Sequence, residues 1–148
     1  MKFKKFFVYL LFLVPWFISA LIFKSDSAYY YSLNLPWFAP PPIIFAIVWP
    51  ILYSLIAYSI YKVLPNSSSN YKIYLLINYL SNQLYSFSFF TLKNNFLALV
   101  DTIIVLISSL YLYTETKILN EKASRYLIPY IIWNIFALIL VFTIFITN

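Results

Sequence analysis

The stretch IIFAIVWPILYSLIAYSIYKVL, residues 43–64, decides the fold, and Lys62 is its only charged residue. As a helix rising 1.5 Å per residue it crosses an apolar slab of about 30 Å. A barrel strand would need only about ten residues and would alternate apolar with polar, which this run does not. Four further runs repeat the pattern, at 6–23, 73–90, 96–113 and 126–146. The expected fold is all-α: one polytopic transmembrane domain over residues 1–148, a bundle of five transmembrane helices. The connections leave no room for a soluble domain.

Composition narrows the possible functions. Hydrophobic residues make up 64% and charged residues 9%, against about 45–50% and 25% in a soluble domain, so the bilayer is the expected solvent. Histidine and cysteine are absent and there are four acids, so neither a disulfide nor a metal cluster is expected. The net charge of +6 is scattered among apolar runs. It forms no stripe to track a phosphate backbone, so nucleic acid is not an expected partner. Glycine is absent as well. Helix contacts must then rest on Ala and Ser or on interlocking aromatics, and a GxxxG contact is impossible.

The basic KFKK before the first run could open a signal peptide. The run is long for a signal core and no A-x-A-like site follows, so it reads as a first transmembrane helix, slightly bent at Pro15. NSSSN (66–70) and LKNN (92–95) read as turns, and ETKILNEKASR (115–125) as a long polar connection. Five crossings put Lys2, Lys4, Lys5, Lys62, Lys72, Lys117, Lys122 and Arg125 on one side, and Lys24 and Lys93 on the other. The positive-inside rule then places the N-terminus in the cytoplasm and the C-terminus outside.

Several residues within the runs carry chemistry. Asn78, Asn82, Tyr85 and Phe89 step by four, three and four, which puts them on one helix face. Carboxamides inside a membrane must be paired or line a cavity, so these either bind a neighbouring helix or face a pocket. Trp49 and Trp133 lie at depths marginal for an interfacial anchor, and an indole suits a flat apolar ligand by stacking and one directed hydrogen bond. Pro40, Pro41 and Pro42 stiffen the end of the loop 24–42, which could cover a cavity between helix tops, while Pro42 also starts the second helix. Asp101 is the one acid inside a run; it is either structural, near a helix start, or a proton or ligand group. Pro50 should free the carbonyl of Ala46, one turn back and beside Trp49.

The run YYYSLNLPWFAPPPIIFAIVWPILY, residues 29–53, resembles the first loop and second helix of the translocator protein family, also called the tryptophan-rich sensory proteins. The resemblance continues through Asn78, Asn82, Tyr85, Ser86, Phe89 and Phe90, then Pro129, Tyr130, Trp133, Phe136 and Ala137. It implies a ligand site of Trp49, Tyr53, Asn82, Tyr85, Phe89, Trp133, Phe136 and Ala137. Pro36, Trp37, Pro40 and Pro41 would form its cover. The implied ligand is a porphyrin or haem precursor, with no required cofactor and no catalytic residue, bound by a receptor that pairs as a homodimer. The alternatives are a transporter of such ligands, or a light- and oxygen-dependent porphyrin-degrading enzyme working through Trp49 or Trp133. The chain departs from the family pattern at Ile43, Ile47 and Pro50. Its C-terminal stretch ALILVFTIFITN has neither the Tyr nor the basic residue of the family's sterol pattern.

Overall fold

The computed structural model describes residues 2–148, with side chains from residue 5 onward. Lys2 and Lys4, counted above among the basic residues, have side chains outside that range. Among the described residues every regular element is helical. The first run is α1 (Lys2–Leu13), a 3₁₀ turn (Val14–Phe17) and α2 (Ile18–Ile22). The first loop contains α3 (Ser27–Ser32). The remaining α-helices are α4 (Pro42–Val63), α5 (Ser69–Ser86), α6 (Asn95–Leu119), α7 (Glu121–Arg125) and α8 (Ile128–Thr147), with a 3₁₀ turn (Leu64–Asn66) after α4 and a π turn (Phe87–Thr91) after α5. The molecule is an all-α membrane helix bundle.

Local chemistry sets the helix ends. Pro41 is extended at φ −64°, ψ 153°, and Pro42 opens α4 where its missing N–H is not needed. Ser68, Asn94 and Asn120 cap α5, α6 and α7 by accepting from backbone N–H groups three residues on. Lys93 turns the chain between α5 and α6 at φ 51°, a left-handed position usually given to glycine, which this chain lacks.

The bundle is apolar outside and partly polar inside. Ile43, Ile47 and Ile51 are exposed along one face of α4, while Tyr53, Ile56, Ala57 and Ile60 are buried on another. Asn78, Ser81, Asn82, Gln83, Ser108 and Asn134 are all buried. Four spans are long and apolar enough to cross a membrane: Lys5–Ile22, Pro42–Asn66, Asn95–Leu119 and Glu121–Thr147. The third expected span is helical over the right length, as α5 and a π turn at Phe87–Thr91. Its polar side chains lower its hydropathy, and Asn78, Ser81, Asn82, Gln83 and Ser88 among them are buried in the protein interior.

Two expectations need correction. Pro15 does more than bend the first helix, since the chain changes to a 3₁₀ turn there. Residues 115–125 are mostly helical: α6 runs on to Leu119, and one extended residue, Asn120, separates it from α7.

The break at Pro15 is closed by α5. Ser19 N–H donates to Gln83 Oε1 at 2.8 Å, and Gln83 Nε2 donates to the Trp16 carbonyl at 3.3 Å. Tyr79 Oη donates to the Pro15 carbonyl at 2.9 Å. These side chains replace backbone bonds that the helix loses at the turn. Replacing Gln83 with Leu orphans a buried amide and a carbonyl, a loss of about 1–3 kcal/mol. Thermal unfolding in detergent should show a lower midpoint for Gln83→Leu and almost no shift for Leu84→Ala on the lipid side; equal midpoints would refute the lock.

Candidate functional site

Beyond the turn at Pro15, α2 packs against α5 at the end of the bundle that contains loop 24–42. A cavity of about 390 Å³ lies there. From α4 its wall takes Phe45, Trp49 and Tyr53; from α5 and its π turn, Asn82, Tyr85 and Phe89. Thr102 and Val105 of α6 and Trp133, Asn134 and Ala137 of α8 complete the sides, with Ser19 and Ala20 of α2 opposite. Among the described residues no charged side chain lines it.

Aromatic contacts hold the wall rigid. Tyr53 stacks on Trp16 at 5.5 Å between ring centroids and lies against Trp49 at 5.4 Å. Tyr85 and Phe89, one turn apart, are nearly parallel at 5.6 Å. Phe45 meets Trp133 edge-on at 5.9 Å. Each such pair adds about 0.5–1.5 kcal/mol beyond its buried area.

A directional hydrogen-bond chain runs beneath. Tyr53 Oη donates to Asn82 Oδ1 at 3.1 Å, and Asn82 Nδ2 donates to Tyr130 Oη at 3.2 Å. Tyr130 Oη donates to Asn78 Oδ1 at 3.1 Å. Asn78 Nδ2 ends the chain on the Val105 carbonyl at 3.0 Å and Ser108 Oγ at 2.9 Å. The chain joins α4, α5, α8 and α6. The two readings of the amides divide accordingly: Asn78 binds helices together, while Asn82 does so and also stands on the cavity wall.

Seven of the expected ligand residues stand on that wall: Trp49, Tyr53, Asn82, Tyr85, Phe89, Trp133 and Ala137. Phe136 does not. It backs Trp133 at 5.2 Å and meets Phe38 at 6.4 Å, because one residue before Ala137 is about 100° around the helix.

The expected cover is also displaced. Pro36, Trp37, Pro40 and Pro41 lie off the wall, and Trp37 is 96% exposed. The loop meets the cavity through Ser25, Ser27, Tyr30 and Pro42 instead. The Pro40 carbonyl accepts from Tyr30 Oη at 2.9 Å, so the stiff proline segment positions the tyrosine rather than covering the cavity itself. Asn34 is held in turn by Thr147 and Asn148.

Asp101 lies off the wall and accepts from Ser88 Oγ at 2.7 Å, tying the π turn to α6. Lys93 reaches Asp26 in the loop at 3.5 Å and lies 4.9 Å over the Tyr29 ring.

Among the wall and near-wall residues that the sequence reading does not single out are Trp16, Gln83 and Asn134. Gln83 and Asn134 could have been found, since an amide inside an apolar run must find a partner or a cavity. Trp16 lies deep in the run 6–23 and so carries the signal used for Trp49 and Trp133.

The TspO/MBR family model matches residues 7–146. The chain belongs to the TspO/MBR family. A tryptophan-rich protein TspO of Bacillus cereus is 34% identical over 135 residues, covering 89% of this chain and 88% of that relative. An uncharacterized membrane protein of Bacillus subtilis, YtaB, is 35% identical over 127 residues, covering 83% and 82%. A tryptophan-rich protein TspO of Archaeoglobus fulgidus is 33% identical over 132 residues, covering 84% and 83%. With its apolar spans, this family member is an integral membrane protein.

The loop carries a pH-dependent element. The Tyr29 backbone N–H, and after it the Lys93 charge, hold the Asp26 carboxyl below its ordinary value of 3.8. A lowered folded pKa means the cap on α3 is fully present above that value and is lost as pH falls through the lower folded one. Amide exchange at Tyr29 should stay slow, relative to its intrinsic rate, down to that acidic window and quicken within it. Asp26→Asn should remove the change; a Tyr29 protection factor independent of pH in the parent chain would contradict the cap's role.

Proposed function

We propose that the chain is a membrane receptor that binds flat, hydrophobic ligands of the porphyrin class in this cavity. The observation that carries the reading is an uncharged cavity of about 390 Å³ with Trp49 and Trp133 on its wall. That volume is within the range of about 300–1,000 Å³ usual for small-molecule sites. The wall combines apolar aromatic faces with few polar groups, as expected for a planar ligand that is mostly carbon. The name tryptophan-rich protein TspO, borne by relatives, agrees with the weight placed on the two indoles.

The same proposal orients the molecule. Loop 24–42 and the cavity would face the outside, and the end bearing Lys62, Lys72, Lys117, Lys122 and Arg125 the cytoplasm. Lys24 and Lys93 would then be the basic groups nearest a propionate at the mouth.

A porphyrin titration in nanodiscs, followed by tryptophan fluorescence, tests the reading. Saturable quenching is expected. Trp49→Phe and Trp133→Phe should each weaken affinity about three- to tenfold, the value of one aromatic contact. Trp37→Phe, altering a residue 96% exposed, should leave affinity unchanged. Quenching that never saturates would contradict the proposal.

A further inference from the structure

Asn134 stands on the cavity wall outside the hydrogen-bond chain. It is 2% exposed, and its Nδ2 is buried without a hydrogen-bond partner. Tyr130, one turn back on the same face of α8, is the partner within reach on the helix. Its hydroxyl donates to Asn78 and accepts from Asn82, which leaves one acceptor site open, and Asn134 Nδ2 approaches that site without reaching hydrogen-bond geometry. Trp133 Nε1, next along the helix, is likewise buried and unpartnered. Buried donors without acceptors are uncommon in folded proteins and destabilise them. Two adjacent ones on the wall of one cavity indicate what its occupant supplies.

Depth and charge define that occupant further. Asn134 lies thirteen residues before Thr147, where α8 ends beside loop 24–42, or about 20 Å along the axis. It therefore belongs to the deep end of the cavity. No charged side chain lines the wall among the described residues, and an ionised carboxylate would lose its hydration there with no counter-charge. We propose that Asn134 selects ligands whose inner edge carries a neutral oxygen acceptor, such as a ketone, aldehyde, ester or lactam carbonyl. Rotation of the amide presents Nδ2 to that oxygen, and any acidic groups of the ligand point to the mouth. This rests on the porphyrin-class reading of the cavity and adds a specificity to it.

A matched ligand pair separates the two claims. Diacetyldeuteroporphyrin and mesoporphyrin differ in carrying acetyl or ethyl groups on the edge away from their propionates. Both are titrated against the parent chain and Asn134→Leu, an apolar change of similar size. The parent should bind the acetyl compound about tenfold more tightly, the worth of satisfying one buried donor. Asn134→Leu should lose that preference while still binding mesoporphyrin at least as well. Because the readout is a ratio within one protein, a merely structural effect of the substitution does not move it. Equal affinities in the parent would overturn the selection while leaving porphyrin binding intact. A preference that survives in Asn134→Leu would also overturn it, assigning the oxygen to Trp133. Failure of the parent to bind either compound would remove both claims.

Discussion

The fold depends on one constraint: polar side chains that have left water must find partners within the bundle. The chain from Tyr53 through Asn82, Tyr130 and Asn78 to Ser108 answers it, each donor meeting an acceptor on another helix. Lipid tails and apolar side chains are alike in polarity, so burial of apolar surface does not by itself hold membrane helices together. A directional chain across four helices gives the bundle a register that aromatic packing alone would not. Gln83 extends the same logic to the first helix by serving the groups that Pro15 leaves open.

Stability and site share these residues. Asn82 spends both ends of its amide on Tyr53 and Tyr130 and still stands on the cavity wall. Tyr53 stacks between Trp16 and Trp49, so the indole of Trp49 is fixed by the network below it. Pro50 and Ala46 both line the cavity. The proline removes the donor that Ala46 would otherwise have met, and Ser54 takes up the Pro50 carbonyl at 2.8 Å. Departures from regular helix thus lie on or beside the wall: the 3₁₀ turn at Val14–Phe17, Pro50 inside the continuous α4, and the π turn Phe87–Thr91, and π turns are frequent at functional sites.

The helices were legible because hydropathy and length respond to the bilayer. The run 43–64 differs by one residue at each end from Pro42–Val63. The face of Asn78, Asn82, Tyr85 and Phe89 was legible as a period of 3.6 residues. What periodicity cannot carry is the direction of a loop, and so Trp37 was expected to cover a cavity from which it points away. Residues 115–125 misled for a related reason: charges suggest solvent but do not forbid helix, and Glu121 and Arg125 form an i,i+4 pair at 3.0 Å. Phe136 was carried over with its neighbours, although its place on the helix turns it behind Trp133. Tyr130 matched the family pattern, yet its place at the centre of the network needed three helices in register to become visible.

The central claim is that the cavity beneath loop 24–42 is a ligand site built on the buried network. A crystal structure of the chain with mesoporphyrin tests it most directly. Planar density is expected inside the cavity, within contact of Trp49 and Trp133, with the Tyr53–Asn82–Tyr130 bonds unbroken. A porphyrin on the lipid-facing surface, with the cavity empty, would contradict it.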